Sequence, residues 1–450
     1  MSLRDRLGRL TGEDKSRDRG DSAVSRIDGG AGGDRTRALR ERIDAILSRR
    51  PEGPAAGAQS PLRGGRGVPL EELVSGSEQE NEAGRFFCAH RTAGGSARHG
   101  RFCVRDLAPL DMERLAVLAN DPLLKALDYR QALFFDTETT GLAGGTGTVA
   151  FLIGLGWFAE EGFVTRQLFA RDYAEERATL LDLTATLGDR RFLVSFNGKA
   201  FDANLLASRF IMNRLPNPLA ALPHVDLLHP SRRLFSHRLA DRRLGSLEAA
   251  LLGFEREGDV PGSEIPQRYF DWLRRRDGRL MADVFEHNRL DILSLAALAA
   301  HLAELIDPAG TAAHAHPGDR VAAARLFLSR ELPAEAVRLL APLCGSANPD
   351  AARDAGRELS LHHKREGRWL DAATIWQEMV RRDGDDRFAL IELAKWHEHK
   401  RRDFRQALEL TERACAVADD LPGEERADLA RRRERLERKL AGRGSSSSGA

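Results

Sequence analysis

The spacing of apolar residues changes several times along the chain. A continuous apolar run at 132–135 ends abruptly at Asp136, and the runs at 149–158 and 163–169 read as two further strands. Helical spacing follows over 175–187. Then come a buried strand at 192–195, a helix over about 200–212, a short strand around Val225 and late helices ending in 291–305. Strands that begin as a meander and later alternate with helices predict an α/β domain with a mixed sheet over 131–305.

The flanks differ from this centre. Residues 67–130 mix a Leu70-Glu-Glu-Leu-Val segment, β-like runs beginning at Arg85 and Arg101 and a helical stretch at 112–118, so a small leading module is expected there. From 318 to 440 every segment reads as helical. Ala336, Ala372 and Ala407 sit at matching places in three similar runs, with steps of 36 (336 to 372) and 35 (372 to 407). That period suits helix-turn-helix repeats of the tetratricopeptide type, with an irregular bundle as the alternative. Residues 1–66 are rich in Gly, Arg, Asp and Ser and carry too little apolar material to offset the entropy of ordering, so a mostly disordered tail is expected. Its exception is 39–49, where Leu39, Ile43, Ile46 and Leu47 recur at helical spacing. Residues 441–450 read as a flexible tail.

Composition narrows the class. At 450 residues, 42% hydrophobic and 30% charged, the chain has material for several folded units and is neither collagen-like nor wholly disordered. The 69 Lys+Arg against 68 Asp+Glu give a net charge of +1, so any nucleic-acid-binding surface must be local. The four cysteines (Cys88, Cys103, Cys344, Cys415) are too few for a disulfide scaffold, and the polar start lacks a signal-peptide core. No run reaches the roughly 20 apolar residues needed to span a bilayer. A cytoplasmic protein with no membrane partner is expected.

Candidate chemistry begins at Asp136-Thr-Glu138. On a strand, residues i and i+2 face the same way, so two carboxylates would project from one face where the apolar run stops. Such oxygen ligands suit Mg²⁺ or Mn²⁺. Asp202 follows the strand at 192–195 through Asn197 and Lys199. His287 and Asp291, four residues apart, share one helix face. Read singly, Asp202 and Asp291 are equally explained as charges favoured by a helix N-terminus.

Taken in order, Asp-x-Glu, Asn-x3-Phe-Asp and His-x3-Asp resemble the DEDD superfamily of 3′–5′ exonucleases with the RNase H-like (DnaQ-like) fold. The segments 136–148, Asp226-Leu-Leu-His-Pro230, Gly258-Asp-Val-Pro-Gly262 and His287-Asn-Arg-Leu-Asp291 are similar to the YprB-like branch of that group. The resemblance covers 131–305. It implies that Asp136, Glu138, Asp202 and Asp291 hold two divalent cations for phosphodiester hydrolysis at single-stranded or frayed DNA or RNA ends. It also implies that His287 is the general base. The chain departs from the family in one respect. Members with a catalytic His carry it five residues before the last Asp, whereas His287 stands four before and Glu286 occupies the five-before position.

Other segments are weaker signals. Gly141 to Thr148 is glycine-rich but has no Lys in the P-loop frame, and a turn between strands is expected. Thr139, Asn197 and Lys199 are candidate substrate contacts. Arg232, Arg233, Arg238, Arg242 and Arg243 form a basic run suited to a phosphate backbone or to a charged helix face. Cys88, His90, His99 and Cys103 offer zinc-type ligands at an uncommon spacing, with buried structural cysteine as the alternative. Two further functions remain open on sequence alone: a scaffold that uses the nuclease-like domain to bind nucleic acid or protein without cleavage, and a hydrolase of small phosphodiesters. The helical repeats are expected to hold a protein partner.

Overall fold

The computed structural model describes residues 67–141, 147–309, 315–417 and 423–444. The expected tail at 1–66 with its 39–49 helix, the centre of the glycine-rich segment at 142–146 and the last residues, 445–450, lie outside the described residues. Nine strands are described: β1 (Gly76–Asn81), β2 (Gly84–Gly94), β3 (Arg98–His99), β4 (Phe102–Cys103), β5 (Ala132–Thr139), β6 (Ala150–Ala159), β7 (Gly162–Phe169), β8 (Phe192–Ser195) and β9 (His224–Asp226). Seven form one sheet in the order β1-β2-β7-β6-β5-β8-β9, and β3 pairs with β4.

The meander β5-β6-β7 is antiparallel, whereas β8 and β9 run parallel to β5, which makes the sheet mixed. The stretch 67–130, expected as a small leading module, contributes β1 and β2 to this sheet. The cause is an eight-residue antiparallel register between β2 and β7, from Phe87 opposite Phe169 to Gly94 opposite Gly162.

Helices cover both faces. The longer ones are α1 (Met112–Ala119), α2 (Glu176–Leu187), α3 (Asp202–Met212), α4 (Leu228–Phe235), α5 (Ile265–Arg275) and the 27-residue α6 (Arg279–Leu305). Alternation along β5 decides which face each side chain serves. Leu133 and Phe135 pack with Leu180 and Leu183 of α2 and Leu206 and Phe210 of α3. Ala132 and Phe134 pack on the other side with Ile292 and Leu295 of α6. Toward β2 the α6 side continues through Phe87, Phe169 and Phe285, with Phe151 stacked on Tyr269 of α5 at 4.0 Å between ring centroids.

Among the described residues after α6 every element is helical: α7 (Pro317–Ser329), α8 (Pro333–Leu343), α9 (Pro349–Arg365), α10 (Trp369–Arg382), α11 (Arg387–Trp396), α12 (Phe404–Ala416) and α13 (Gly423–Gly444). Each helix packs on the next. Pro at the first turn of α7, α8 and α9 suits a position whose backbone N–H has no partner within the helix. Asp386 and Asp403 cap α11 and α12 by accepting from Ala389 N and Gln406 N. Trp376, Leu390, Leu393 and Leu410 form the core of α10 to α13, whereas α7 to α9 bury Val321, Leu339 and Leu359 in the cluster shared with α6. Among the described residues no helix is long and apolar enough to cross a membrane.

Candidate active site at the end of strand β5

The face assignment of β5 carries straight into the site. Asp136 and Glu138 continue the side of the strand that holds Ala132 and Phe134, so both carboxylates meet α6. Thr137 lies on the opposite side, where its hydroxyl donates to Asp202 Oδ1 at the first turn of α3. One strand end therefore meets Asp202 from one helical layer and His287 and Asn288 of α6 from the other.

Asp202 is delivered by the turn after β8. Asp226, buried at the end of β9, accepts backbone N–H bonds from Asn197 at 2.8 Å, Lys199 at 3.1 Å and Leu228 at 3.1 Å. Asn197 has a φ of 65°, the left-handed turn conformation. Gly198 is required by close approach: a Cβ there would lie 2.6 Å from Ser195 Cβ and 3.4 Å from Asp202 Oδ2.

His287 and Asp291 lie inside α6. The helix begins at Arg279, eight residues before His287, so an N-terminal dipole does not explain Asp291. Asp283, Glu286 and Arg289 keep the exposed side of these turns polar, which obscures the start in the sequence. The expected i, i+4 pairing holds: His287 Nε2 is 3.4 Å from Asp291 Oδ2 and 3.8 Å from Glu138 Oε1. Glu286 instead pairs with Arg289 at 2.5 Å and Arg91 at 3.6 Å, away from the carboxylates.

Several residues of the site were not picked out in the sequence. Asn288 is fully buried. It donates to Asp136 Oδ2 at 3.1 Å and accepts from Gln167 Nε2 at 3.0 Å. Gly154 on β6 makes room for it, since a Cβ at that position would overlap the Asn288 carboxamide. Asp259 accepts from His287 Nδ1 at 2.7 Å. Arg256 binds Glu248 through Nε at 2.8 Å and Nη2 at 2.5 Å, reaches Asp259 at 3.2 Å and ion-pairs with Asp291. Asp259 falls within the noted Gly258 to Gly262 motif, but nothing local announces its partner 28 residues onward.

Charge crowding shifts these groups. Burial, then the charges of Asp291, Asp202 and Glu138, push Asp136 well above the usual carboxylate range against the opposing Asn288 bond. Burial raises Glu138 to about 8, with His287 opposing and Asp291 and Asp202 adding to the rise. Burial also lifts Asp202 to about 6, countered by its hydrogen bond from Thr137. For His287, burial alone would lower the pKa, but Asp291, Glu138 and the bond to Asp259 hold it above its ordinary value. A half-buried group of mutually repelling carboxylates gains from a multivalent cation, and Glu138, His287 and Asp291 hold ligand atoms within 4.8 Å of one another, a carboxylate-dominated set that fits Mg²⁺ or Mn²⁺.

The candidate substrate contacts surround this group unevenly. Lys199 is exposed beside Asp202, Asn197 is half-buried in the same turn, and Thr139 donates to Gly141 O at 2.9 Å. Phe201, immediately before Asp202, is 52% exposed. The basic run is partly used internally: Arg238 pairs with Asp319 and Arg233 donates to Ser329. The four zinc-type residues do not assemble. Cys88 packs in the layer with α2 and α3, whereas His99 Nε2 meets Ser294 Oγ of α6 on the other face at 2.7 Å.

A family model described as RNase_H superfamily matches residues 133–303. The uncharacterized protein YprB of Bacillus subtilis (strain 168) is 33% identical over 352 residues, covering 77% of this chain and 84% of that protein.

Proposed function

This chain belongs to the YprB family and carries an RNase_H superfamily domain, and from that premise we propose that it is a metal-dependent nuclease of the DEDD type. Its substrate is a single-stranded or frayed DNA or RNA end, hydrolysed in the 3′–5′ direction. The supporting observation is the gathering of the half-buried Asp136, Glu138, Asp202 and Asp291 around one strand end, from three separate chain segments, with pKa values of the first three raised. These four side chains are the proposed ligands. When bound, divalent cations supply Lewis acidity and offset charge on the phosphate.

The protein's own groups then divide the remaining work. Asp259 accepts the Nδ1 proton of His287, which leaves Nε2 on the side of Glu138 and Asp291 as the atom that takes the proton of the attacking water. Asn288 and Thr137 orient Asp136 and Asp202 by donating to them. Lys199 offers a cation to a backbone phosphate, with Asn197 and Thr139 as further substrate contacts, and exposed Phe201 offers a stacking face for an unpaired base.

The domain reading that accompanies this proposal is a nuclease domain over 131–305 followed by tetratricopeptide-like repeats over 318–440 that hold a protein partner. Supporting the repeats, Ala336, Ala372 and Ala407 are all fully buried on alternate helices α8, α10 and α12.

One observation favours the alternative of a non-catalytic scaffold: Arg256 already ion-pairs with Asp291. End-labelled single-stranded DNA and RNA incubated with Mg²⁺ or Mn²⁺ separate the two. Shortening by the parent and none by Asp136→Ala supports the nuclease. Equal shortening by both, or none by either alongside retained nucleic-acid binding, rejects it.

A further inference from the structure

Away from the acids of β5, a second group of side chains has ligand chemistry of a different kind. His237 follows α4, and His316 and Asp319 stand at the start of α7. Their ligand atoms all lie within 4.8 Å of one another, and His237 Nε2 is 3.2 Å from Asp319 Oδ1. The α4 and α7 helices pack together, so the group bridges the sheet domain and the first helix of the C-terminal run.

The local backbone is shaped for this approach. A Cβ at Gly318 would lie 2.6 Å from His237 Nε2 and 3.1 Å from His316 Nδ1, so a side chain at that position would displace the imidazoles. Asp319 is buried, and Arg238 holds its carboxylate in a two-pronged pair, Nε to Oδ1 at 2.7 Å and Nη2 to Oδ2 at 2.8 Å. Carboxylates that ligate metals are commonly oriented by such a second partner. Both imidazoles are exposed, so the group opens to solvent.

We propose that His237, His316 and Asp319 form a second metal site, selective for a borderline divalent cation of the zinc, cobalt or nickel class, that clasps α4 to α7. The donor set carries the selectivity. Two imidazole nitrogens and one carboxylate suit those ions, whereas the group beside β5, with carboxylates in the majority and the single imidazole of His287, suits Mg²⁺ or Mn²⁺. The ion takes the place of the proton between His237 Nε2 and Asp319, and it draws His316 away from the Gly318 N–H that its Nδ1 now accepts at 3.1 Å. Three protein ligands leave room for water as a fourth.

Calorimetric titration with Zn²⁺, in saturating Mg²⁺ to hold the acidic group, tests the site on the full-length chain. Asp136→Ala/Asp291→Ala should retain one equivalent of Zn²⁺, and His237→Gln and His316→Gln should each lose it. Both glutamine substitutions are at exposed positions, and circular dichroism checks that the variants remain folded. Zn²⁺ should also raise the melting temperature of the parent and not that of His237→Gln. The proposal is overturned by unchanged Zn²⁺ binding in both histidine variants, or by a parent that takes up no Zn²⁺ once Asp136 and Asp291 are removed.

Discussion

Glu138 is the side chain on which the electrostatic reasoning is most directly measurable. Its carboxyl is raised from an ordinary 4.5 to about 8, chiefly by burial. At about 1.4 kcal/mol per decade, keeping it ionised in the metal-free fold costs about 5 kcal/mol. The repulsion is shared with Asp136, Asp202 and Asp291, so neutralising this one member recovers about 2–5 kcal/mol. The direction with pH follows from linkage. The folded protein holds this proton more tightly than the unfolded chain, so its stabilising effect is full below about pH 4.5 and is lost as pH rises towards about 8. Melting temperatures in a chelator at about pH 5 and about pH 8.5 should therefore separate parent from Glu138→Gln. The two are expected to be similar at the lower pH, whereas at the higher pH the variant is the more stable. A gain of about 2–4 °C per kcal/mol is the scale for a domain of this size. Mg²⁺ or Mn²⁺ should reverse the order at high pH by stabilising the parent more. A metal-free Glu138→Gln no more stable than the parent at about pH 8.5 would refute the crowding of charge at this site.

Three further outcomes follow from the same contacts. His287→Ala should lower turnover by roughly 10²–10⁴-fold while leaving single-stranded DNA binding by fluorescence anisotropy intact, since only proton transfer is removed. Asn288→Ala removes the donor to Asp136, and Gly154→Ala pushes the Asn288 carboxamide aside; each should weaken Mn²⁺ binding by roughly 10–100-fold in titration calorimetry. Trp376→Ala, at a fully buried position in the C-terminal helices, should cost about 3–5 kcal/mol by denaturant unfolding yet leave hydrolysis by the sheet domain unchanged.

The parts of the fold that were legible are those in which burial dictates residue type. The runs at β5, β6, β7 and β8 are apolar because both sheet faces are covered, and the recurring alanines of α8, α10 and α12 are small because neighbouring helices approach there. β1 is the opposite case. Its sequence, Gly-Ser-Glu-Gln-Glu-Asn, has no apolar alternation because it is an edge strand with exposed side chains, held to β2 by backbone pairing. Membership of β1 and β2 in the main sheet depends on a register between residues about 75 positions apart, for which no local pattern exists.

The spacing of His287 has a geometric explanation that the sequence alone did not supply. At about 100° per residue, four positions bring a side chain back to within about 40° of its starting direction, whereas five carry it about 140° away. On the continuous helix α6, an imidazole four residues before Asp291 therefore shares its face, whereas the residue five before faces elsewhere. Glu286 does so, towards Arg91 and Arg289. What remains is the orientation of the ring, which Asp259 fixes from a different loop, while Arg256 ties that loop to Glu248 and Asp291. Asp259→Asn thus separates spacing from orientation. It keeps His287 at the same helical position but replaces the carboxyl group that accepts its Nδ1 proton, so a fall in turnover with unchanged Mn²⁺ affinity is the outcome expected of a ring-orienting residue, and a loss of Mn²⁺ binding would show that Asp259 belongs among the ligands instead.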